Sequence, residues 1–148
     1  YHNRSRLDPA VEQPLGARWV DKDTLLREAD HVVLVLPYSA ATHHAIGARE
    51  LAAMKPTATL VNIARGGIVD DAALVDALRA GRIAGAGLDV YENEPALHPG
   101  LLTVPNVVLT PHVGSATRSS RVGMAMLAAE NLVAFATGAA LPTPVATA

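Results

Sequence analysis

A permanent positive charge follows one of the most apolar stretches of the chain. Residues 58–63, "ATLVNI", read as a buried strand, and Arg65, Gly66 and Gly67 follow at its end. Arginine stays protonated at any working pH and carries five N–H donors in a planar fork that suits a carboxylate or a phosphate. Arg65 is therefore a candidate clamp for an anionic ligand. The alternative for an isolated arginine is a surface salt bridge.

Polar residues also follow the other apolar runs. They occur in Pro37-Tyr38-Ser39, in residues 89–95, which include Asp89, Glu92 and Glu94, and in residues 111–115, which include His112. In parallel sheets, ligands bind outside the carboxyl ends of the strands. We therefore expect an arginine, several acids and a histidine at one rim, where the chemistry is predicted to occur.

Strands and helices alternate along the sequence. Apolar runs predict strands over 17–20, 31–36, 58–63, 84–90 and 107–110, and helical periodicity predicts helices over 24–29, 48–54, 72–80 and 116–137. Asp70 or Asp71 is predicted to cap the third helix, Gly81 to end it, and Ser115 to cap the fourth. Continuously apolar runs such as "HVVLVLP" predict strands covered on both faces. This order predicts an α/β fold with a parallel sheet.

Composition favours a small-molecule partner. The chain has 148 residues, half of them hydrophobic, and a net charge of −2, so neither a nucleic acid nor a membrane surface is indicated as a partner. It has no cysteine, and a cytoplasmic location is the simplest expectation. Residues 122–141 have the length of a membrane span, but they are rich in alanine and include Glu130, so a packed helix is predicted.

Several motifs in order resemble one enzyme family. The stretches "LPYSAATHHAI" and "VNIARGGIVDDAALVDALRAGRIAGAGLDVYENEPALHPGLLTVPNVVLTPHVGSAT" resemble the signature region of the D-specific 2-hydroxyacid dehydrogenases, and most of all their glyoxylate/hydroxypyruvate reductases. The resemblance extends over nearly all of the chain. It implies a Rossmann-type, doubly wound parallel sheet that binds a nicotinamide dinucleotide.

The resemblance implies that Arg65, Glu94 and His112 are catalytic. Reduction of a 2-oxo acid requires a hydride, a proton for the carbonyl oxygen and an anchor for the carboxylate. Imidazole has an unperturbed pKa of about 6.5, so His112 suits the proton donor. Glu94 would orient the ring and favour its protonated form, and Arg65 would hold the substrate. Considered alone, Glu94 would be a solvated loop acid, with Glu92 as a competitor, and His112 a packing or capping residue.

The resemblance also implies a set of cofactor-binding residues. Asp89 and Ile63 correspond to positions that contact the nicotinamide, although Ile63 would also suit the core, and Pro37 and Thr42 fall in a loop beside the cofactor that also reads as an ordinary turn. The full predicted set is Arg4, Ser5, Arg6, Pro37, Thr42, Ile63, Ala64, Arg65, Asp89, His112, Gly114 and Ser115. No metal is predicted, because the other histidines lack the spacing of ligands and adjacent His43 and His44 would not share a helix face.

The N-terminal "YHNRSR" bears on the choice of nicotinamide. The end of the second strand of a dinucleotide fold meets the adenosine ribose, where an acid suits NAD and an arginine suits the 2′-phosphate of NADP. Asn3 occupies the position of the acid, and Arg4, Ser5 and Arg6 follow. NADP is therefore the predicted cofactor and NAD the alternative. An exposed basic loop is the competing interpretation.

One departure from the family pattern concerns the glycine-rich fingerprint. Gly81, Gly85 and Gly87 do not give G-x-G-x-x-G, and their segment leads into a strand. We therefore expect residues 1–115 to be a nucleotide-binding domain without its first strand and glycine-rich turn. Residues 116–148 would be a long helix and a tail leading towards a substrate domain, and this chain alone would be inactive.

Two functions remain open at this point. The first is an oxidoreductase that transfers a hydride between NAD(P)H and a small 2-oxo acid to give a D-2-hydroxy acid. The second is a dinucleotide-sensing protein of the same fold, similar to corepressors. The small and apolar residues of 116–137 extend over more than one helix face, and the resemblance implies a homodimer.

Overall fold

In the computed structural model, which describes residues 1–145, the chain forms two units, Tyr1–Pro111 and a second that begins at His112. The first unit contains a sheet of four parallel strands in the order β1-β2-β3-β4. These strands are β1 (His31–Leu34), β2 (Thr59–Asn62), β3 (Gly85–Leu88) and β4 (Val107–Leu109). The predicted α/β class and parallel sheet are confirmed. Each strand is shorter than predicted, because the polar segments after the apolar runs leave the sheet.

The first unit also contains four α-helices and a 3₁₀ turn. They are α1 (Pro9–Leu15), α2 (Lys22–Glu28), α3 (Ala48–Ala53), α4 (Asp71–Arg79) and the turn Pro99–Thr103. Asp70, one of the two predicted caps, begins α4 and accepts a hydrogen bond from the Ala73 N–H at 3.0 Å. Gly81 follows the end of this helix with φ of 63°. Asp70 and Gly81 thus confirm the predicted ends of α4.

Helix α1 was not predicted from the sequence. Its proline at the first position and Pro14 in its last turn obscure the helical pattern. Asp8 nevertheless caps it, accepting from the Ala10 N–H at 2.7 Å, and Gly16 ends it with φ of 59°. A proline at the first helical position loses no intrahelical hydrogen bond, so "DPAVEQPLG" forms a short capped helix.

The strand predicted over 17–20 does not form. Its backbone makes two hydrogen bonds with Tyr1 instead: the Tyr1 amino group donates to Arg18 O at 2.7 Å, and the Val20 N–H donates to Tyr1 O at 2.9 Å. Two hydrogen bonds to a single residue do not make a ladder, so the described chain has no strand here.

The strands were predicted to be covered on both faces, and within the described residues the first unit covers one face of the sheet. Val33, Val35 and Val108 are 52%, 77% and 69% exposed. Their neighbours Val32 and Leu34 are buried and contribute to the core. Because successive strand residues point to opposite faces, helices on one face bury only every second side chain.

The second unit contains one helix in its described part, α5 (Arg118–Thr137). Thr117, and not the predicted Ser115, caps α5, because its hydroxyl accepts from the Ser120 N–H at 3.2 Å. Gly138 ends the helix with φ of 70°. The Asn131 amide then holds Thr143 through hydrogen bonds of 2.9 and 3.2 Å. Among the described residues, no helix combines the length and the hydropathy that a bilayer span requires.

Candidate active site

The carboxyl ends of β1, β2 and β3 lie side by side. Leu34 pairs with Asn62, and Asn62 pairs with Leu88, so the loops after these strands leave the sheet at the same level. Arg65 follows β2, and Asp89 to Glu94 follow β3. The structure therefore brings the predicted arginine and acids of the first unit to one edge.

Asn62 shapes the turn that carries Arg65. Its side chain is buried, its Nδ2 donates to Arg65 O at 3.1 Å, and its Oδ1 accepts from the Ala64 N–H at 3.1 Å. The Arg65 side chain is exposed, and its Nη1 donates to Ala64 O at 2.6 Å. Asn62 was not predicted as a site residue. The feature of the sequence that could have identified it is a polar amide within the mainly apolar run "TLVNI".

Gly66 and Gly67 allow this turn to pack closely against neighbouring loops. A Cβ at Gly66 would lie 1.7 Å from the carbonyl oxygen of Tyr91. Gly67 has φ of 75°, and a Cβ there would lie 2.9 Å from the Tyr38 ring. In these directions the protein itself fills the space that glycine leaves, so the glycines serve the packing of the Arg65 turn against the β3 loop.

The β3 loop presents two of the predicted acids. Asp89 is buried, and the Thr110 hydroxyl donates to its Oδ1 at 2.6 Å. Glu94 is exposed, and its Oε1 accepts from the Tyr91 N–H at 2.9 Å. The Tyr91 hydroxyl donates to Thr110 O at 2.8 Å, and burial followed by the charge of Asp89 raises the pKa of Tyr91. Thr110 and Tyr91 thus tie the end of β3 to the end of β4.

Glu92 belongs to a different cluster from Glu94. Its Oε1 lies 2.7 Å from Nε2 of His44, while its backbone N–H donates to the buried Asp71 at 3.2 Å. Burial, with a further contribution from the charge of Glu92, raises the pKa of Asp71, although the Glu92 N–H opposes the shift. Glu92 therefore connects the β3 loop to the start of α4.

His43 and His44, which were expected not to share a helix face, lie in a turn and their rings stack. His44 has φ of 49°, and the two rings stack with centroids 3.8 Å apart and planes inclined by 24°. Nitrogens of both rings and a Glu92 oxygen lie within 4.8 Å of one another. A ligating lone pair lies in the plane of its ring, so two stacked rings do not direct their nitrogens to one ion.

The loop after β1 holds Pro37 and Thr42 in a compact turn. The Thr42 hydroxyl donates to Pro37 O at 3.0 Å and accepts from the Ser39 N–H at 2.7 Å. The structure thus shows turn chemistry at both positions. Ile63 is 54% exposed, so in the described chain it is not a core residue, which was the alternative interpretation of this position. Ala64, the next residue, is buried.

Side-chain contacts also hold the N-terminal segment. The Arg6 guanidinium forms a two-pronged ion pair with the buried Glu12, in which Nη2 donates to Oε2 at 2.7 Å and Nε donates to Oε1 at 3.0 Å. Trp19 Nε1 donates to Asn3 O at 3.1 Å, and the Leu7 N–H donates to the Tyr1 hydroxyl at 2.8 Å. The hydrogen bond from Arg6 lowers the pKa of Glu12, which was not predicted as a site residue.

Because of these contacts, the three residues predicted to bind the 2′-phosphate differ in their environment. Arg4 and Ser5 are exposed between the anchored positions 3 and 7, whereas Arg6 is committed to Glu12. In the second unit, His112 has φ of 52°, and His112, Gly114 and Ser115 are exposed. His112 comes three residues after the end of β4.

A parallel sheet with helical connections and polar loops at its carboxyl edge defines the Rossmann-like class of α/β domains. The comparisons with known proteins agree with this class. The family described as D-isomer specific 2-hydroxyacid dehydrogenase, NAD binding domain, matches residues 1–114. The chain belongs to this family, as the sequence motifs predicted.

Relatives with curated names are reductases. The chain is 56% identical over 143 residues to a glyoxylate reductase of Thermococcus onnurineus, covering 97% of this chain and 42% of the relative. It is 50% identical over 133 residues to glyoxylate/hydroxypyruvate reductase B of Klebsiella pneumoniae, covering 89% of this chain and 41% of the relative. The chain therefore spans less than half the length of these relatives.

Solved structures show the same fold. An NADPH-dependent glyoxylate/hydroxypyruvate reductase from Sinorhizobium meliloti, in complex with NADP and malonate, matches with a TM-score of 0.88 at 41% identity. That match covers 99% of this chain and 44% of the other. D-mandelate dehydrogenase from Rhodotorula graminis matches with a TM-score of 0.89 at 36% identity, covering 99% of this chain and 43% of the other.

Proposed function

We propose that the protein is an oxidoreductase that reduces a small 2-oxo acid, such as glyoxylate or hydroxypyruvate, to a D-2-hydroxy acid with NAD(P)H. The observation that carries this proposal is the Arg65 turn, held at the carboxyl edge of the sheet beside the loop with Asp89 and Glu94. The names of the relatives at 50–56% identity support it. They do not favour the alternative of a dinucleotide sensor.

The residues of this edge fit a nicotinamide ring. Ile63 directly follows β2 and offers an exposed apolar side chain. Asp89 directly follows the neighbouring β3, and its N–H donates to Asn62 O at 3.0 Å. An apolar surface next to a carboxylate suits a flat ring that carries an amide. Ile63, Ala64 and Asp89 would hold the nicotinamide, beside the loop with Pro37 and Thr42. The roles of Gly114 and Ser115 stay expectations from the family resemblance. The dinucleotide supplies the hydride when bound.

The protein's own groups supply the remaining chemistry. Arg65 uses one N–H for Ala64 O, and its fork has further donors for the substrate carboxylate. His112 delivers the proton to the carbonyl oxygen, and Glu94 orients the imidazole. Both of these assignments stay predictions.

The test of the proposal is turnover by the full-length protein. We expect reduction of glyoxylate or hydroxypyruvate with a reduced nicotinamide cofactor, followed as loss of its absorbance. His112→Ala should lower kcat by roughly 10²- to 10⁴-fold and leave cofactor affinity little changed, because a general acid acts in the transition state. Cofactor binding without turnover would favour the sensor, and near-normal turnover by the variant at neutral pH would remove His112 from the role of acid.

We further propose that the protein prefers NADP to NAD, and the exposed Arg4 and Ser5 support this choice. A cation and a hydroxyl side by side suit a phosphate dianion. Arg6, bound to Glu12, would stabilise the loop that carries Arg4 and Ser5. The matched reductase from S. meliloti is described as NADPH-dependent, which is consistent with this choice.

A homodimer is the proposed assembly. Helix α5 has no buried residue and exposes large apolar side chains, among them Met124 at 52%, Leu132 at 70% and Phe135 at 76%. An apolar surface of this kind is typical of a contact with another protein surface. Sedimentation of the full-length protein at micromolar concentration should give the mass of a dimer, and a monomer would contradict the proposal.

A further inference from the structure

The buried amide of Asn62 joins the centre of the sheet to the turn that carries Arg65. Its backbone belongs to β2, and its carbonyl accepts from the Asp89 N–H at 3.0 Å. Its side chain is only 1% exposed and uses both ends of its amide on the turn, at Arg65 O and at the Ala64 N–H. One residue thus belongs to the rigid sheet and also binds the turn at two points.

Only an amide side chain of this length meets the requirements of the position. The backbone groups of Ala64 and Arg65 have left the β-ladder and need partners, one a donor and the other an acceptor. Asparagine offers both groups in one plane, whereas aspartate offers two acceptors and alanine offers neither. Without the amide, the peptide after Arg65 loses its hold, and rotation there redirects the guanidinium.

We propose that Asn62 is a positioning residue for Arg65, and that it controls binding of the 2-oxo acid through the orientation of the Arg65 guanidinium. This inference rests on the proposed function, in which Arg65 binds the substrate carboxylate. The close packing of Gly66 against the Tyr91 carbonyl supports it, because that packing also restrains the turn.

The first experiment measures steady-state kinetics of the full-length protein with glyoxylate and NADPH. Asn62→Ala and Asn62→Asp should each lower kcat/KM for glyoxylate by roughly ten- to a hundredfold, mainly through KM, because small misplacements of a binding group have effects of this size. The KM for NADPH should rise by a smaller factor, because Ala64, whose N–H Asn62 holds, is only one of the residues proposed to bind the dinucleotide. A general loss of structure would instead change both KM values by a similar factor.

Asn106 offers a matched control. Its Nδ2 donates to Ala84 O at 3.2 Å, so it also holds backbone, but at the amino ends of the strands. Asn106→Ala should leave the kinetics with glyoxylate unchanged. If it lowered kcat/KM as much as Asn62→Ala does, the effect would be one of stability, and the inference would be wrong.

A double-mutant cycle with Arg65→Ala separates the inference from the proposed function. We expect Asn62→Ala to have almost no further effect when Arg65 is already alanine, because residues that act through one group are not additive. An equal loss in both backgrounds would overturn the positioning role. If Arg65→Ala itself leaves glyoxylate kinetics unchanged, the proposed function of Arg65 fails instead.

Amide hydrogen exchange of the unmodified full-length protein covers the case in which the Asn62 variants do not fold. The Ala64 N–H should exchange as slowly as the amides of β2, since it donates to a buried acceptor. Fast exchange of this amide would show that the turn is not held, and would refute the inference.

Discussion

Gly66→Ala should disturb the Arg65 turn more than any loop substitution of its size. The added Cβ would lie 1.7 Å from Tyr91 O and 2.3 Å from Tyr91 C, and both are backbone atoms that no rotamer change moves. To reach the 3.0 Å that real Cβ contacts respect, the turn must retreat from β3 by about 1.3 Å. The Asn62 side chain holds the same turn, so this displacement strains its hydrogen bonds to Arg65 O and the Ala64 N–H.

The size of the effect follows from the two consequences of this displacement. Overpacking of this kind costs about 1–3 kcal/mol of the free energy of unfolding. Misplacing the substrate anchor by about 1 Å lowers kcat/KM by roughly a hundredfold, which corresponds to about 2.7 kcal/mol. Urea unfolding and glyoxylate kinetics of the full-length protein measure the two quantities separately.

Gly123→Ala is the matched control for this substitution. Gly123 lies inside α5, and a Cβ there would meet nothing within 4 Å. The substitution should therefore raise the free energy of unfolding by up to about 1 kcal/mol through helix propensity and leave the kinetics unchanged. If Gly66→Ala kept both quantities within about 0.5 kcal/mol of the unsubstituted protein, close packing against Tyr91 would not be what requires glycine.

Two further predictions concern charged residues. Burial raises the pKa of Glu50, but hydrogen bonds from Lys22 and from backbone N–H groups more than reverse this and lower the pKa from 4.5 to about 2. Ionised Glu50 therefore stabilises the fold above pH 4.5, and this stabilisation is lost as the pH falls towards 2. When the urea unfolding midpoint is plotted against pH, Glu50→Gln should flatten the curve between pH 4.5 and about 2. Arg4→Ala and Arg6→Ala should lower the ratio of kcat/KM for NADPH to that for NADH, by about tenfold for the exposed Arg4. NADH used as well as NADPH, or a ratio unmoved by both substitutions, would contradict NADP preference.

Local patterns in the sequence predicted much of the fold. The apolar runs located all four strands of the sheet, and Asp70 and Gly81 marked the ends of α4 correctly. These features depend on neighbours within a few residues of one another, so the sequence contains their whole cause. The predicted strand over 17–20 was wrong because strand formation also requires a partner of sufficient length.

The candidate site was predicted in its residue types but not in its contacts. Arg65, Asp89 and Glu94 were located from their positions after apolar runs and from the family motifs. The stacking of His43 on His44 was not, because it depends on an unusual backbone conformation at His44. Helix periodicity does not describe residues in a loop of this kind.

The sequence by itself determined the class of fold, the family and the order in which the site residues follow the strands. Only the tertiary structure showed which polar groups are already engaged: Arg6 with Glu12, and Asn62 with the backbone of the Arg65 turn. It also showed that Gly66 is required by the carbonyl of Tyr91, which is 25 residues further along the chain. Local propensity acts over a single turn of chain, whereas a hydrogen bond or a steric contact depends on distance in space, which the packing of the whole sheet decides.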